Sequence, residues 1–333
     1  MWLKVLKMAL SLEIQQTDTE VPVIKISPSR ISTYQDCPKK YDYTYNQNLT
    51  SLVKATHYFN KGNYFHELSH SYYELLKTTG IQPGSEAAVV TIRDRIQNDL
   101  RKASGPELIS VYHTITRTML RYIQEQSPKI DNGIKVIGTE QEINHLLTLP
   151  SGRIISLFGF IDLIYRDSSG RLHIRDHKTG ERPWTKQQAA SSNQLLYYSL
   201  ATWLRTREVP IAEISYINTH EYVKKAPKAE TAFAFPTVTY SQKELQLYLD
   251  QILQLIDEML DSKGVPHYGG PCNWCPFLTP CTLERKGIDS TPIIVSQYKV
   301  VDRNAVRQHP KFTEVNSNGD DSDWILHCEA ERR

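Results

Sequence analysis

The stretches GFID, at residues 159–162, and IRDHK, at residues 174–178, set the predicted fold of this chain. Apolar residues flank both, and the polar sequence DSSG at 167–170 separates them, so the pattern predicts two strands joined by a turn. Because side chains alternate faces along a strand, Asp176 and Lys178 should lie on one face. A hairpin at this turn can bring Asp162 within a few ångströms of Asp176.

These charged side chains suit the metal-dependent hydrolysis of a phosphodiester. Two carboxylates this close repel each other unless a cation lies between them, and Mg²⁺ or Mn²⁺ is the natural cation for oxygen ligands. Such an ion would polarise the phosphodiester and help to generate hydroxide from water. Lys178 could stabilise the developing charge, and Gly159 would let a substrate backbone approach closely. The alternative is an exposed hairpin with ordinary charges, because Asp-x-Lys is common on its own.

The composition is that of a globular chain without a strong overall charge. Of its 333 residues, 40% are hydrophobic and 23% are charged, which allows a sizeable core in one large domain or two. The net charge of +2 excludes a global field that attracts nucleic acid, so binding would need a local basic face. The first ten residues contain lysines and are too short an apolar run for a membrane span, so we expect a cytoplasmic protein without membrane contact.

Hydrophobic periodicity predicts a group of strands with helices before and after it. The predicted helices cover 63–77, further segments within 85–126, 186–205, and a long helix from the capping box Ser241–Glu244 to Gly264. The predicted strands cover 135–149, 153–166, 171–178, 213–219, 231–240 and a β-like run at 293–301.

Four of the five cysteines are spaced as metal ligands often are. Cys37 lies near the start of the chain, and the other three follow the pattern Cys272-x-x-Cys275-x-x-x-x-x-Cys281. A metal group held by all four would close nearly the whole domain into a loop and remove entropy from the unfolded chain. Zinc is one candidate, although a zinc ribbon normally uses two closely spaced pairs. Four buried free thiols are the alternative without a metal.

The chain resembles the RecB-like branch of the PD-(D/E)xK nuclease superfamily from about residue 28 to residue 285. That branch carries, in order, a helix histidine, a strand glutamate, an aspartate in a Gly-x-x-Asp context, Asp-x-Lys, and Gln-x-x-x-Tyr on the next helix. The matching residues here are His66, Glu140, Asp162, Asp176 with Lys178, and Gln194 with Tyr198.

The resemblance implies a role for each of these residues. The implied catalytic residues are Glu140, Asp162, Asp176 and Lys178, and the implied ligands of Mg²⁺ or Mn²⁺ are His66, Asp162 and Asp176. Gln194 and Tyr198 share one helix face and would touch DNA, while Lys186 at the start of that helix could meet a phosphate. Glu142 shares a strand face with Glu140, so either glutamate could be the active carboxylate.

The fold implied by the resemblance is α/β and restriction-endonuclease-like. It has a mixed central sheet flanked by helices, with a helical insertion at about 64–126. A RecB-like nuclease domain would cover 27–288, after an N-terminal lead-in over 1–26 and before a C-terminal extension over 289–333.

The cysteines resemble those of the iron–sulfur subgroup of this branch, which includes CRISPR-associated RecB-like exonucleases and the AddB nuclease domain. In that subgroup four cysteines hold a [4Fe–4S] cluster that joins the N-terminal segment to the C-terminal end. The corresponding ligands here are Cys37, Cys272, Cys275 and Cys281.

The implied activity is that of a metal-dependent exonuclease on single-stranded DNA or DNA ends, in recombination, repair, phage DNA processing or CRISPR adaptation. The chain has no Walker A pattern, so a helicase or recombination protein is an expected partner. A RecB-like module that binds DNA ends without cutting is the alternative, and the intact Asp-x-Lys disfavours it. A zinc metalloprotease is a remote alternative: HELSH at 66–70 matches H-E-x-x-H on a predicted helix, but no Gly-x-x-His extension follows.

Overall fold

The computed structural model of the chain describes residues 23–52, 57–103, 106–180, 182–218 and 232–301. Most of the lead-in predicted over 1–26 and most of the extension predicted over 289–333 lie outside the described residues. Within those residues, no helix is both long enough and apolar enough to cross a membrane.

The strands, in chain order, are β1 (Ile24–Ile26), β2 (Leu49–Ser51), β3 (Lys135–Thr148), β4 (Ile154–Arg166), β5 (Leu172–Gly180), β6 (Ile211–Asn218), β7 (Phe233–Ala234), β8 (Thr237–Thr239) and β9 (Tyr298–Val300). In the described part of the chain, seven of them form one mixed sheet in the order β1-β4-β5-β6-β7, with β3 also paired to β4 and β8 to β6. The pairs β1–β4 and β5–β6 are parallel, whereas β3–β4 and β4–β5 are antiparallel. β2 and β9 form a separate antiparallel pair.

The helices are α1 (Pro28–Asp36), α2 (Pro38–Tyr41), α3 (His57–Thr79), α4 (Glu86–Lys102), α5 (Pro106–Arg121), α6 (Ser127–Ile130), α7 (Lys186–Ala190), α8 (Asn193–Thr206), α9 (Gln242–Leu260), α10 (Leu278–Arg285) and α11 (Thr291–Gln297). α1, α8 and α9 share a core with Leu157 and Ile174 of the sheet. α3, α4 and α5, within the region of the predicted insertion, share a second core with Leu163 and Tyr165. The predicted mixed sheet with flanking helices is therefore confirmed.

In the part of the chain that the structure describes, strand β4 has a segment that is paired along only one edge. β3 runs beside nearly all of β4, so β1 and β5 share the other edge, where β1 pairs with residues 155–157 and β5 with residues 163–166. Residues 158–162 lie between these two partners. The sheet opens at this segment, and the segment includes Asp162.

The helix predicted over 186–205 is interrupted in the structure. It consists of α7 and α8, separated by Ser191 and Ser192. The Ser192 side chain accepts a hydrogen bond from the backbone N–H of Leu195, which begins a new helix there. The N-cap hydrogen bond competes with helix continuation, and periodicity alone does not reveal it.

Two predicted strands also differ from the structure, and proline accounts for both. The β-like run predicted over 293–301 is mostly the helix α11, which has Pro292 in its first turn, and only its last residues form β9. The strand predicted over 231–240 is divided into β7 and β8 around Pro236, since proline has no N–H to donate to a neighbouring strand.

A fully buried arginine joins the helical insertion to the sheet. Arg175 on β5 lies with Nη1 2.7 Å from Asp131 Oδ1 and with Nε 3.2 Å from Glu213 Oε1. It also donates to the hydroxyl of Tyr73 on α3 at 2.6 Å. Because an unpaired buried charge is strongly unfavourable, these partners hold α3 against β5. Sequence periodicity does not predict them, since Asp131 and Glu213 lie 44 and 38 residues away along the chain.

Candidate active site

The candidate active site lies where β4 and β5 separate. Their pairing ends at Leu163 and Arg175, so the adjoining residues Asp162 and Asp176 stand at the start of the opening. The backbone N–H of His177 donates to Asp162 Oδ2 at 2.7 Å and orients this carboxylate. Both aspartates are buried, and the charge of Asp162 acts on Asp176.

A histidine from α3 and a glutamate from β3 face Asp162. His66 Nδ1 lies 3.2 Å from Asp162 Oδ2 and 3.9 Å from Glu140 Oε1. The residues on either side of Glu140 pair with those on either side of Asp162, so the two carboxylates are opposite each other on neighbouring strands. The backbone of Glu140 has a φ of 44°. This left-handed conformation is unfavourable for a residue other than glycine, and such strain is concentrated at functional sites.

These three side chains have ligand atoms at the right separation for a divalent ion. One such atom from each of His66, Glu140 and Asp162 lies within 4.8 Å of the other two. Opposite ligands of Mg²⁺ are about 4 Å apart, since each is about 2.1 Å from the ion. Two carboxylate oxygens with an imidazole nitrogen also suit Mn²⁺. The expected ligand set of His66, Asp162 and Asp176 differs in one member, because Glu140 and not Asp176 belongs to this group.

Asp176 lies beside Lys178 instead. Lys178 Nζ is 2.8 Å from Asp176 Oδ2, and the alternation of side chains along β5 accounts for their common face. Asp176 is 2% exposed. Burial raises the pKa of this carboxyl; the ammonium of Lys178 opposes the shift, and the charge of Asp162 adds to it. Asp176 therefore connects the lysine electrostatically to the His66, Glu140 and Asp162 group.

α8 adds two polar side chains to the site. Lys178 Nζ donates to Gln194 Oε1 at 2.8 Å, and Tyr198, one turn further along, is buried. The Tyr198 ring lies against Gly159, where an added Cβ would be 3.1 Å from Tyr198 Cε1. Gly159 thus makes room for Tyr198, and the expectation that it admits a substrate backbone stays a prediction. Lys186 is exposed at the first residue of α7, outside these contacts.

His177 is a buried residue to which the sequence pattern assigns no role. Its ring stacks on Tyr73 with centroids 5.7 Å apart and meets His66 edge-on at 6.1 Å. Burial lowers the pKa of His177 to about 3, so its imidazole is neutral near pH 7. Tyr73 also accepts a hydrogen bond from Arg175, which connects the site to the buried arginine. The alternation of side chains along β5 predicts that His177 lies on the face opposite Asp176. It does not predict the contact of His177 with Tyr73.

The HELSH motif at 66–70 lies on α3, as a zinc protease would require. In the described residues, however, the grouping of three metal-ligating side chains joins His66 to Glu140 and Asp162 and does not include His70. The site therefore favours the carboxylate-based arrangement over a protease.

Burial separates the two glutamates that the sequence left open. The Glu140 side chain is 8% exposed and faces His66, whereas Glu142 is exposed.

We expect Glu140→Gln to weaken Mn²⁺ binding and slow DNA cleavage by at least about tenfold, since it removes a charged ligand and keeps the shape. Glu142→Gln, the same change two residues away, should alter both by less than about twofold. Calorimetric titration with Mn²⁺ and single-turnover cleavage measure the effects, and the reverse result would assign the role to Glu142.

The thiols lie where the N- and C-terminal parts of the described chain meet. β2 pairs with β9, and the ring of Tyr43 stacks on Phe277 with centroids 5.0 Å apart. Cys275 and Cys281 pack against this small core. These contacts bring residues near 43–51 onto residues near 275–300.

Cys37 and Cys272, the other two of these four cysteines, contact the backbone of one residue. The backbone N–H of His267 donates to Cys37 Sγ at 3.4 Å, and the Cys272 thiol donates to the His267 carbonyl at 3.6 Å. Burial raises the pKa of Cys275; the Phe277 N–H and Lys40 lower it, and Cys37 and Cys272 raise it further. Thiols from both ends of the chain are thus electrostatic neighbours, and the four described cysteines form no disulfide.

The fold and the site together define a class of protein. The sheet opens beside two buried aspartates, and a lysine two residues beyond the second completes the PD-(D/E)xK arrangement. The chain belongs to the PD-(D/E)XK nuclease superfamily, whose family model matches residues 25–282. This range contains every candidate site residue and the four cysteines at the domain ends. Members of the superfamily are generally metal-dependent nucleases, which makes this chain a nuclease in general terms.

Two solved structures are similar to the chain at low identity. The protein SSO0001 shares 14% identity with a TM-score of 0.36, over 84% of this chain and 94% of that one. A candidate exonuclease from Eubacterium rectale shares 13% identity with a TM-score of 0.41, over 79% of this chain and 92% of that one. Both TM-scores are too low to support an argument about this chain. No curated protein sequence matches it.

Proposed function

We propose that the chain is an exonuclease that uses Mg²⁺ or Mn²⁺ to hydrolyse single-stranded DNA or DNA ends. The observation that supports this most is the position of Lys178, whose Nζ lies 2.8 Å from the buried carboxylate of Asp176. The His66, Glu140 and Asp162 group, which can accommodate a divalent ion, lies beside this pair. A cation and a metal site at one opening of the sheet are what hydrolysis of a phosphodiester requires.

Each residue of the site has a distinct part in this proposal. His66, Glu140 and Asp162 hold the metal, with Asp176 as a further ligand, and His177 orients Asp162 through its backbone N–H. When bound, the ion supplies Lewis-acid polarisation of the phosphate and a lowered pKa for attacking water. Lys178 donates to the negative charge that develops on the phosphate oxygens.

Three parts of this proposal rest on the resemblance to RecB-like nucleases. They are DNA as the substrate, exonucleolytic action, and a helicase or recombination protein as the partner. Without a Walker A pattern in its 333 residues, the chain would depend on a partner to unwind duplex DNA. Lys186, exposed at the start of α7, is proposed to meet a phosphate of the strand.

A cleavage assay on three substrates tests the function. We propose to compare end-labelled linear single strands, end-labelled duplexes and circular single strands with Mn²⁺, Mg²⁺ or EDTA. An exonuclease should degrade the linear strands in a metal-dependent way and leave the circles intact. Degradation of the circles would indicate an endonuclease. Binding of linear ends without cleavage under all conditions would favour the end-binding module.

We also propose that Cys37, Cys272, Cys275 and Cys281 hold a [4Fe–4S] cluster. Supporting this, the His267 N–H donates to Cys37 Sγ, and such a donor favours the thiolate form that metal ligands require.

Replacing Cys37 should release this group and destabilise the domain. We expect Cys37→Ser to lose iron and visible absorption and to lower the unfolding temperature by several degrees, because the link between the two ends is broken. Cys328→Ser is the matched control, since Cys328 lies outside the proposed ligand set, and it should keep full iron content. Anaerobic purification followed by elemental analysis and an absorption spectrum measures the outcome. Stoichiometric zinc without iron would contradict the iron–sulfur assignment.

A further inference from the structure

Gln194 lies between the lysine of the site and a buried tyrosine. Its Oε1 accepts a hydrogen bond from Lys178 Nζ at 2.8 Å, and Tyr198 follows one turn later on the same helix, α8. The same ammonium lies 2.8 Å from Asp176 Oδ2. An ion pair with Asp176 on β5 and a hydrogen bond to Gln194 on α8 therefore hold the Lys178 ammonium between them.

The chemistry of these groups sets the direction of the hydrogen bond. An ammonium only donates, so the oxygen of the Gln194 amide must face Lys178 and its NH₂ must point away from that lysine. The amide therefore serves Lys178 as an acceptor.

Packing holds the surroundings of Gln194 in place. Tyr198 is 5% exposed, and its hydroxyl oxygen would be 3.3 Å from a Cβ added at Gly159. The ring therefore has little room to move on the side of β4. Ser192 caps α8 two residues before Gln194, so the first turn of the helix is also well defined. A flexible lysine side chain is thus held by partners that are themselves anchored.

We propose that Gln194 is a positioning residue that anchors the Lys178 ammonium beside Asp176 and acts on cleavage through that lysine, without binding DNA itself. This inference rests on the proposed nuclease function and replaces the DNA contact that the resemblance implies for Gln194. A lysine anchored before substrate binds needs no reordering when charge develops on the phosphate, so the anchor acts on the rate and not on affinity.

Two substitutions test this role. Gln194→Met removes the acceptor for Lys178 at nearly constant shape, and we expect the single-turnover rate to fall by about 10- to 100-fold. The affinity for a single strand, measured in EDTA, should change by less than about twofold. Gln194→Glu keeps an acceptor for Lys178, so its rate should stay closer to that of the wild type than the rate of Gln194→Met does.

Combining Gln194→Met with Lys178→Ala distinguishes positioning from contact. If Gln194 acts through Lys178, the double variant should cleave no more slowly than Lys178→Ala alone, and DNA affinity should be equal in both backgrounds. A direct DNA contact would instead lower the affinity in both backgrounds, and this result would overturn the inference.

A measurement that does not depend on activity completes the test. The rate at which acetic anhydride acetylates Lys178, followed by mass spectrometry, should rise several-fold in Gln194→Met, while the exposed Lys186 serves as the internal control. Equal labelling of Lys178 in both proteins would overturn the anchoring, whether or not the chain cuts DNA. A wild-type chain that cuts no substrate while this labelling difference persists would overturn the proposed function and leave the anchoring supported. If Gln194→Met does not fold, Gln194→Ala gives the same comparison.

Discussion

Lys178→Ala is expected to abolish DNA cleavage while DNA binding stays nearly intact. The Lys178 ammonium lies 2.8 Å from Asp176 Oδ2, where its charge would act on the transition state more than on the bound ground state. The rate constant should therefore fall by about 10²- to 10³-fold without a matching loss of affinity. Single-turnover kinetics on an end-labelled single strand at saturating Mn²⁺ measure the rate, and binding in EDTA measures the affinity.

Lys135→Ala is the matched control for this variant, because Lys135 is an exposed lysine at the first residue of β3. It should cleave like the wild type. If Lys178 were only a solvated lysine at a strand end, its replacement by alanine would likewise cost at most about 0.5 kcal/mol of stability and would not change catalysis. Cleavage by Lys178→Ala at a near-wild-type rate would contradict the nuclease mechanism and favour the end-binding module.

Asp162→Asn should remove most of the metal affinity of the site. Asp162 Oδ2 lies 3.2 Å from His66 Nδ1 and accepts the His177 N–H at 2.7 Å. Asparagine keeps an oxygen that can accept from His177, so the fold should survive, but it lacks the negative charge that a hard divalent cation prefers. We expect Mn²⁺ affinity to fall by at least about 100-fold and cleavage to be lost with it. Calorimetric titration with Mn²⁺ measures this, and an unchanged affinity would remove Asp162 from the ligand set.

Asp176→Ala tests the fourth proposed ligand in the same titration. Because Asp176 lies against Lys178 and outside the His66, Glu140 and Asp162 group, we expect a smaller loss of Mn²⁺ affinity than for Asp162→Asn, about tenfold. Thermal unfolding shows whether the variant is folded. Unchanged affinity in a folded variant would leave Asp176 as the partner of Lys178 alone.

Local sequence features were enough to predict the hairpin and the long helix α9. The side chain of Asp167 accepts the backbone N–H groups of Ser169 and Arg171, and Gly170 has a φ of 83°, so the turn depends on residues within four positions. The capping box of Ser241 and Glu244 likewise forms at the start of α9. Such features could be predicted because their partners are neighbours in the chain.

The candidate site could be predicted in its residue types and order, but not in its contacts. Alternation along β5 places Asp176 and Lys178 on one face. Whether Glu140 or Glu142 faces His66 depends instead on the register of β3 and β4 and on the left-handed backbone of Glu140. Register is set by pairing along the whole strand, so spacing alone left both glutamates open.

The amino-acid sequence was sufficient for the strand–turn–strand at the centre, for the order of carboxylates and lysine along it, and for the four spaced thiols, because period, turn chemistry and ligand spacing are local properties. It did not show that Gly159 accommodates Tyr198, that Gln194 holds Lys178, or that Arg175 is buried between two acidic residues. Those contacts join residues that are 16 to 44 positions apart in the chain. They exist only once helices have packed on particular faces of the sheet, since burial and side-chain packing, rather than local propensity, select them.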